Sequence, residues 1–262
     1  MKIVVCVKVV PDTTASDLVI AEDKRSIKKQ GVIYQINEAD NYALEEALRI
    51  KERFGGSVTV VTVGGQETTE QLRICLAKGA DSALRLDDAR FAGSDGLATA
   101  RILCAAIKDM SPDLVLTGCV ASDDGYGQVG VQLGELLGYN HATLVSQIQI
   151  TNGKVEVRRE LEGGLGEILE VELPAVLAVQ TGINEPRYAS FRAIKEAMKQ
   201  EIKVLGLVDL QLDEHNVGEA GSGIRIEELF VPSAEKMAQM LDGSLDEVTD
   251  KLISILKERR LI

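Results

Sequence analysis

Short β-branched runs alternate with helix-patterned stretches from residue 3 to residue 137, and few architectures accommodate that alternation. Residues 3–10 are mostly Val and Ile, the composition of a strand buried on both faces. After a polar excursion to Gly31, Asn37 precedes an apolar stripe at Ala43, Leu44, Ala47, Leu48 and Ile50, and Gly55-Gly56 ends that helix. Residues 58–63 form the next strand, and residues 67–78 the next helix, closed by Gly79. A short strand at 83–86 follows, then a helix to Ile107 capped by Ser94-Asp95. The strand at 114–118 leads to a helix at 128–137. Strands separated by helices pair in parallel through right-handed crossovers. The fold class is therefore α/β, a Rossmann-like parallel sheet flanked by helices, and such sheets bind ligands at the carboxyl ends of their strands.

One of those ends is richer than the others. The run Leu114-Val115-Leu116-Thr117-Gly118 stops at a glycine, and Cys119 to Gly127 form a small, flexible loop before the helix. Strand, loop and helix N-terminus together form the place where α/β proteins hold phosphate, although an ordinary strand-to-helix turn has the same pattern. Neither GxGxxG nor GxxxxGK[ST] is present, so neither common nucleotide fingerprint applies.

The pattern changes after residue 144. Residues 145–150, 155–161 and 168–171 alternate in polarity and read as antiparallel hairpins, with turns at Thr151-Asn152-Gly153-Lys154 and at 162–166. Residues 175–179 are apolar again and rejoin the sheet; a helix at 190–199 and a strand at 202–205 follow. Residues 206–262 carry twelve acidic and six basic side chains and end in an amphipathic helix at 245–256. The expected organisation is a nucleotide-binding α/β domain over 1–205 and, over 206–262, an arm whose helix docks on a partner subunit.

Composition excludes several functions. A net charge of −12 repels nucleic acid, and 3% aromatic residues with no Trp leave no platform for stacked bases. Cys6, Cys75, Cys104 and Cys119 lie far apart and read as buried thiols of a reducing compartment, so the expected location is cytoplasmic. Residues 1–10 are too short for a signal peptide or a membrane span. With only His141 and His215 present, no Ser-His-Asp set can be drawn. Asp123-Asp124 lacks companion ligands for a metal site. The expectation is a binding protein with no catalytic residues and no metal.

One motif stands apart: Asn184-Glu185-Pro186-Arg187-Tyr188-Ala189-Ser190-Phe191. From Arg187 to Lys203 there are five basic and two acidic residues, a local excess in an acidic chain. Aromatic residues flanked by cations suit a docking element, and equally suit a helix whose aromatic packs inward.

Together these features resemble the beta subunit of electron-transfer flavoproteins along nearly the whole chain. The residues that carry the resemblance are Val5-Cys6-Val7-Lys8 with Pro11-Asp12-Thr13, and Asn37 with Ala43-Leu44-Glu45-Glu46-Ala47-Leu48. Further matches are Ala77-Lys78-Gly79-Ala80-Asp81, Asp123-Asp124 with Gln128-Val129-Gly130, and above all Asn184-Glu185-Pro186-Arg187-Tyr188. The resemblance implies a heterodimer with an alpha subunit that holds the redox-active FAD on a mobile domain. The beta subunit would bind AMP through Cys6, Asn37, Glu38, Ala39, Asp40, Val63, Val120, Ala121, Ser122, Asp123, Asp124, Gly125, Tyr126, Gly127, Gln128, Val129, Gly130 and Val131. The segment after Pro186 resembles the family's recognition loop for an acyl-CoA or similar dehydrogenase, giving Arg187, Tyr188, Phe191, Arg192, Lys195 and Lys199 as docking residues, with Phe191 as anchor.

Two departures from the family pattern matter. Glu38-Ala39 replaces an aromatic that many members carry near the flavin. The loop reads Asp-Asp-Gly-Tyr-Gly-Gln-Val-Gly where electron-bifurcating members, with a second FAD in place of AMP, have Asp-Gly-Asp-Thr-Ala-Gln-Val-Gly, so Asp124 stands at a glycine position. Phe91-Ala92-Gly93-Ser94-Asp95 and Val10-Pro11-Asp12-Thr13, in contrast, look like the bifurcating branch. An AMP-holding carrier is the preferred expectation, a bifurcating subunit whose second FAD reacts with NADH the alternative. An adenine-nucleotide enzyme on the same kind of sheet ranks last, because Lys8-Val9-Val10-Pro11-Asp12 lacks a glycine-rich phosphate grip.

Overall fold

A computed structural model describes residues 1–151, 154–232, 238 and 240–262, in two compact units, Met1–Glu227 and Glu228–Ile262. The first opens with β1 (Lys2–Cys6), β2 (Val9–Pro11), β3 (Tyr34–Ile36), α1 (Glu38–Phe54), β4 (Ser57–Val63), α2 (Thr69–Lys78), β5 (Ser82–Leu86), α3 (Gly96–Ile107), β6 (Leu114–Gly118) and α4 (Val129–Leu137). It continues with β7 (Asn140–Thr151), β8 (Lys154–Leu161), β9 (Leu165–Glu172), β10 (Ala175–Val179), α5 (Phe191–Ala197), β11 (Lys203–Leu205) and α6 (Gly218–Gly221). The second unit holds α7 (Leu245–Glu258).

Nine strands form one sheet in the order β11-β5-β4-β1-β6-β10-β7-β8-β9. Pairing is parallel from β11 to β7, and β8 and β9 extend the edge antiparallel. The α/β class is as expected, and so are the return of residues 175–179 to the sheet and the hairpins. The turn at Asn152-Gly153 lies outside the described residues.

Burial on both faces explains the β-branched runs. Ile3 and Val5 of β1 face a core with Val58, Val60, Leu114 and Leu116 under the α1 residues Ala43, Leu44, Ala47 and Leu48. Val4 and Cys6, on the opposite face, meet Val61, Val115 and Val176 under Ile102 and Leu103 of α3 and Leu133 of α4. Successive strand residues alternate faces, so every position of β1 after Lys2 lands in a core.

The expected single strand over 3–10 is in fact two. The Lys8 N–H leaves the ladder for the Asp40 carboxylate, and Val9–Pro11 pairs antiparallel with Tyr34–Ile36 in a separate ribbon. Hydropathy alone could not find that break, because Val9 and Val10 are as apolar as Val4 and Val5.

From β1 the chain moves to β4 and then β5 on one side, and it returns to β6 on the other side of β1. The strand order therefore reverses between β1 and β6, and the crevice beyond their carboxyl ends is the ligand position of such sheets.

The first unit runs on through residues 206–227, which the sequence reading placed in the arm, because Leu207, Leu210 and Val217 are buried in the α3-side core. Asp95 both caps α3 and accepts from the N–H groups of Gly223 at 2.7 Å and Ile224 at 3.1 Å. In the second unit, Ser244 and Glu247 form a reciprocal capping box at the start of α7. Leu245, Val248, Leu252, Ile255 and Leu256 place an apolar stripe on that helix at i, i+3 and i+4 spacing. Among the described residues no helix is long and apolar enough to cross a membrane.

Candidate functional site

The crevice between β1 and β6 is built by α1. Asn37 stands at its N-cap, but the side chain makes no cap bond. Instead Asn37 Nδ2 donates to the Val120 carbonyl at 2.9 Å, and Oδ1 accepts from the Ser122 N–H at 3.1 Å. Asp40, one turn on, accepts from the Lys8 N–H through Oδ2 and the Gly118 N–H through Oδ1, both at 2.7 Å. One carboxylate thus ties the end of β1 to the end of β6 across the reversal point.

Burial pushes the Asp40 carboxyl up from 3.8 to about 6, against the lowering effect of the bonds from Lys8, Gly118 and Asn37. The folded value lies above the unfolded one, so this group stabilises the fold most below 3.8 and loses that contribution as pH rises to about 6. At neutral pH Asp40 is a carboxylate held against its own desolvation by the two strand ends it joins.

Gly118 allows this closeness. A Cβ there would overlap Asp40 Oδ1 and stand 2.8 Å from both Ala39 Cβ and the Asp40 nitrogen. In the loop beyond, Gly127 adopts φ +61°, a left-handed conformation that glycine tolerates best. The Gly125 N–H donates to the Ala121 carbonyl at 2.9 Å, and the Tyr126 N–H to Asp124 Oδ1 at 3.2 Å.

The α4 ladder begins with the Gln132 N–H on the Gln128 carbonyl at 3.1 Å, and Gln128 supplies no side-chain cap. The N–H groups of Val129, Gly130 and Val131 therefore have no partner within the helix and carry the positive end of its dipole. Across the crevice, Lys8 Nζ pairs with Asp123 Oδ1 at 2.6 Å and Asp124 Oδ2 at 2.8 Å. Partial burial opposes the charge on Lys8, yet the hydrogen bonds from both aspartates outweigh it and raise its pKa. An open helix N-terminus, a glycine-bearing loop and an ammonium paired with two carboxylates frame the mouth of the crevice.

The structure brings together most of the residues expected around a nucleotide. Asn37, Asp40, Val120 and Ser122 are joined by hydrogen bonds, Ala39 lies buried beneath Gly118, and Glu38 faces solvent. Val63 ends β4, one strand beyond the crevice. Asn37 and Asp40 use their side chains on the protein's own backbone, which leaves backbone groups for a ligand. Sequence reading missed Lys8 as a member of this site. Its place at the end of the first strand was the available signal, and its pairing with Asp123-Asp124 needed the fold.

The two thiols of the crevice, Cys6 and Cys119, are buried. Burial, reinforced by the charge of Asp40, drives the Cys6 pKa up, and burial does the same at Cys119. Cys75, in the opposite core, is pushed up to about 12. In a thiol titration of the folded protein with a disulfide reagent at pH 8, Cys6, Cys75 and Cys119 are expected to stay silent until denaturant is added. Prompt reaction of Cys6 or Cys119 would put thiol chemistry back into the crevice. Among the described residues no group of His, Cys, Asp and Glu is arranged to hold a metal ion.

A second surface lies along the motif at 184–191. Tyr188 is 98% exposed and Phe191 85% exposed. Ser190 caps α5, accepting from the Ala193 N–H at 3.2 Å, and Arg192, Lys195 and Lys199 are exposed on that helix or just beyond it. Of the two roles open to Phe191 in sequence, inward packing is absent in this chain. Arg187 differs from the other five, since its guanidinium is engaged with Glu45 and Glu52 of α1.

The sequence matches the family described as Electron transfer flavoprotein domain over residues 25–210. It is 40% identical to the electron transfer flavoprotein subunit beta of Methylophilus methylotrophus, over 98% of each chain. It is 38% identical to the same subunit of Thermoanaerobacterium thermosaccharolyticum, over the full length of both chains. A further relative, the caffeyl-CoA reductase-Etf complex subunit CarD of Acetobacterium woodii, is 38% identical, again over both full lengths.

Proposed function

This chain belongs to the electron transfer flavoprotein family, as a beta subunit, and from that premise we propose that it is one half of a heterodimeric electron carrier holding AMP in the crevice between β1 and β6. The alpha subunit carries the redox-active FAD. Electrons arrive from an acyl-CoA or similar dehydrogenase docked at Tyr188 and Phe191, and the carrier works in the cytoplasm. The arm beyond residue 227, with its apolar α7 stripe, lies on the alpha subunit.

The observation that carries this reading is the mouth itself: the uncapped N-terminus of α4 and the loop of Gly125 and Gly127, which Lys8 ties down through Asp123 and Asp124. A mononucleotide phosphate fits that donor set, accepting from the first N–H groups of α4. Nothing in the crevice resembles a nucleophile and base pair. The residues bind and orient, and rate is set by where the flavin domain rests. Asp124, present in place of the glycine of bifurcating members, is occupied by Lys8 across the mouth and favours the smaller ligand.

A second reading, a bifurcating subunit with FAD in this crevice, draws on the relative named as part of a caffeyl-CoA reductase-Etf complex and on residues 91–95. The deciding experiment is to co-express the chain with its alpha subunit, denature the purified heterodimer and identify the released nucleotides. One FAD and one AMP are expected. Two FAD would establish the second reading, and FAD alone would end the assignment of a nucleotide to the crevice.

A further inference from the structure

The motif at 184–191 does two things with neighbouring residues: half of it grips α1 and half of it leaves the protein. Asn184 Nδ2 donates to the Tyr42 carbonyl and to Glu46 Oε2, each at 3.0 Å. Arg49 Nη2 reaches the Glu185 carbonyl at 3.2 Å. Arg187 is the centre of the grip. Its N–H and Nε donate to Glu45 Oε2 at 3.1 and 2.8 Å, and its Nη2 to Glu45 Oε1 at 3.0 Å. Its Nη1 and Nη2 also reach the two Glu52 oxygens at 2.5 and 3.2 Å.

Glu45 is only 4% exposed. A carboxylate that deep is tolerated when its lone pairs are filled, and Arg187 with Arg49 Nε at 2.8 Å fills them. Burial alone would raise the Glu45 pKa, but the bonds from the two arginines outweigh it and leave it below the ordinary range. The very next residue, Tyr188, is almost fully exposed. At the far end of α5, Arg73 Nη1 donates to the Ala197 carbonyl at 2.7 Å, and Ala197 is buried. The exposed aromatics are thus strung between two arginine anchors.

We propose that Arg187, seated on Glu45 and Glu52, is a positioning residue that holds the stretch from Tyr188 to Phe191 in one outward conformation, so that it meets its partner already ordered. The purpose rests on the docking role proposed above, whereas the anchoring rests on α1 alone. An ordered segment loses less conformational freedom on binding, and that saving appears directly as affinity. The planar fork is essential to the device. Lysine would keep a charge near Glu45 but could not fill both carboxylates in two directions at once.

Hydrogen exchange on the heterodimer tests this. Arg187→Gln alone would strand a buried charge and risk misfolding, so the informative variants are Arg187→Lys and the pair Glu45→Gln/Arg187→Gln. In the double variant, amides from Tyr188 to Met198 are expected to exchange about tenfold faster or more, with β1 and β6 as protected as in the wild type. Arg187→Lys should recover only part of that protection. Unchanged exchange from Tyr188 to Met198 in the double variant overturns the proposal. So does an increase that β1 and β6 share, because Arg187 would then be a general stabiliser. Partner affinity in Phe191→Ala is a separate measurement. If it stays at the wild-type value the docking role fails, and the exchange result still decides the anchor.

Discussion

Phe191→Ala is expected to weaken the affinity of the heterodimer for its dehydrogenase by about thirtyfold or more, while leaving FAD content and melting temperature unchanged. A buried aromatic anchor in an interface contributes about 2 kcal/mol or more, and that energy corresponds to the factor quoted. Phe191 can lose little stability on truncation because it is 85% exposed in the chain and takes no part in either core. The surrounding cations act differently. Lys195→Glu should slow association at low salt and matter much less at high salt, since rim charges steer the encounter more than they hold the complex. Surface plasmon resonance with the purified dehydrogenase, at two ionic strengths, separates the two effects. A fall in melting temperature with unaltered affinity would return Phe191 to a structural role.

What sequence could reveal differs between sheet and site for a physical reason. Burial on both faces imposes near-continuous apolar or β-branched residues on β1, β4 and β6, and that demand is written locally, so the strands and their alternation with helices were legible. The switch from continuous to alternating polarity marked the point where β7–β9 leave the doubly covered sheet. The end of β1 was not legible, because it is set by Asp40, thirty-four residues beyond Cys6. A side chain that captures a backbone N–H from a distant strand leaves no periodic trace.

The same holds at the crevice and the motif. Glycines and a helix start at 118–130 announced a loop able to approach an anion. That Lys8 would face Asp123 and Asp124 depends on the order β1-β6 in the sheet, which the alternation does not specify. In the motif, Arg187 and Arg192 look alike as letters. They separate only when Glu45 of α1, a buried acid at the edge of the apolar face, is found waiting for one of them. A Glu amid the stripe of Ala43, Leu44, Ala47 and Leu48 was the available clue, since a buried carboxylate there needs more partners than Arg49 of its own helix supplies.

The largest effect on the crevice is expected from Gly118→Ala. The added methyl cannot be accommodated by a rotamer change, because part of what it meets is backbone: the Asp40 nitrogen stands 2.8 Å from its position. The first turn of α1 must therefore back away from β6. That movement would break the Asp40 bond to the Gly118 N–H and loosen the Asn37 bonds to Val120 and Ser122, so the loop that frames the mouth loses its support. Overpacking of this kind costs about 1–3 kcal/mol, and if that cost falls on the bound state, nucleotide affinity drops by about fivefold to a hundredfold. Gly138→Ala, at the C-terminal end of α4 and away from the mouth, is the control. It places alanine at positive φ, unlike Gly118→Ala, with its Cβ in open space, so it should lose some stability and keep the nucleotide. The measurement is nucleotide released per heterodimer after extensive dialysis, alongside the melting curve. Full retention by Gly118→Ala would separate the nucleotide from the Asp40 clamp and place it elsewhere on the sheet edge.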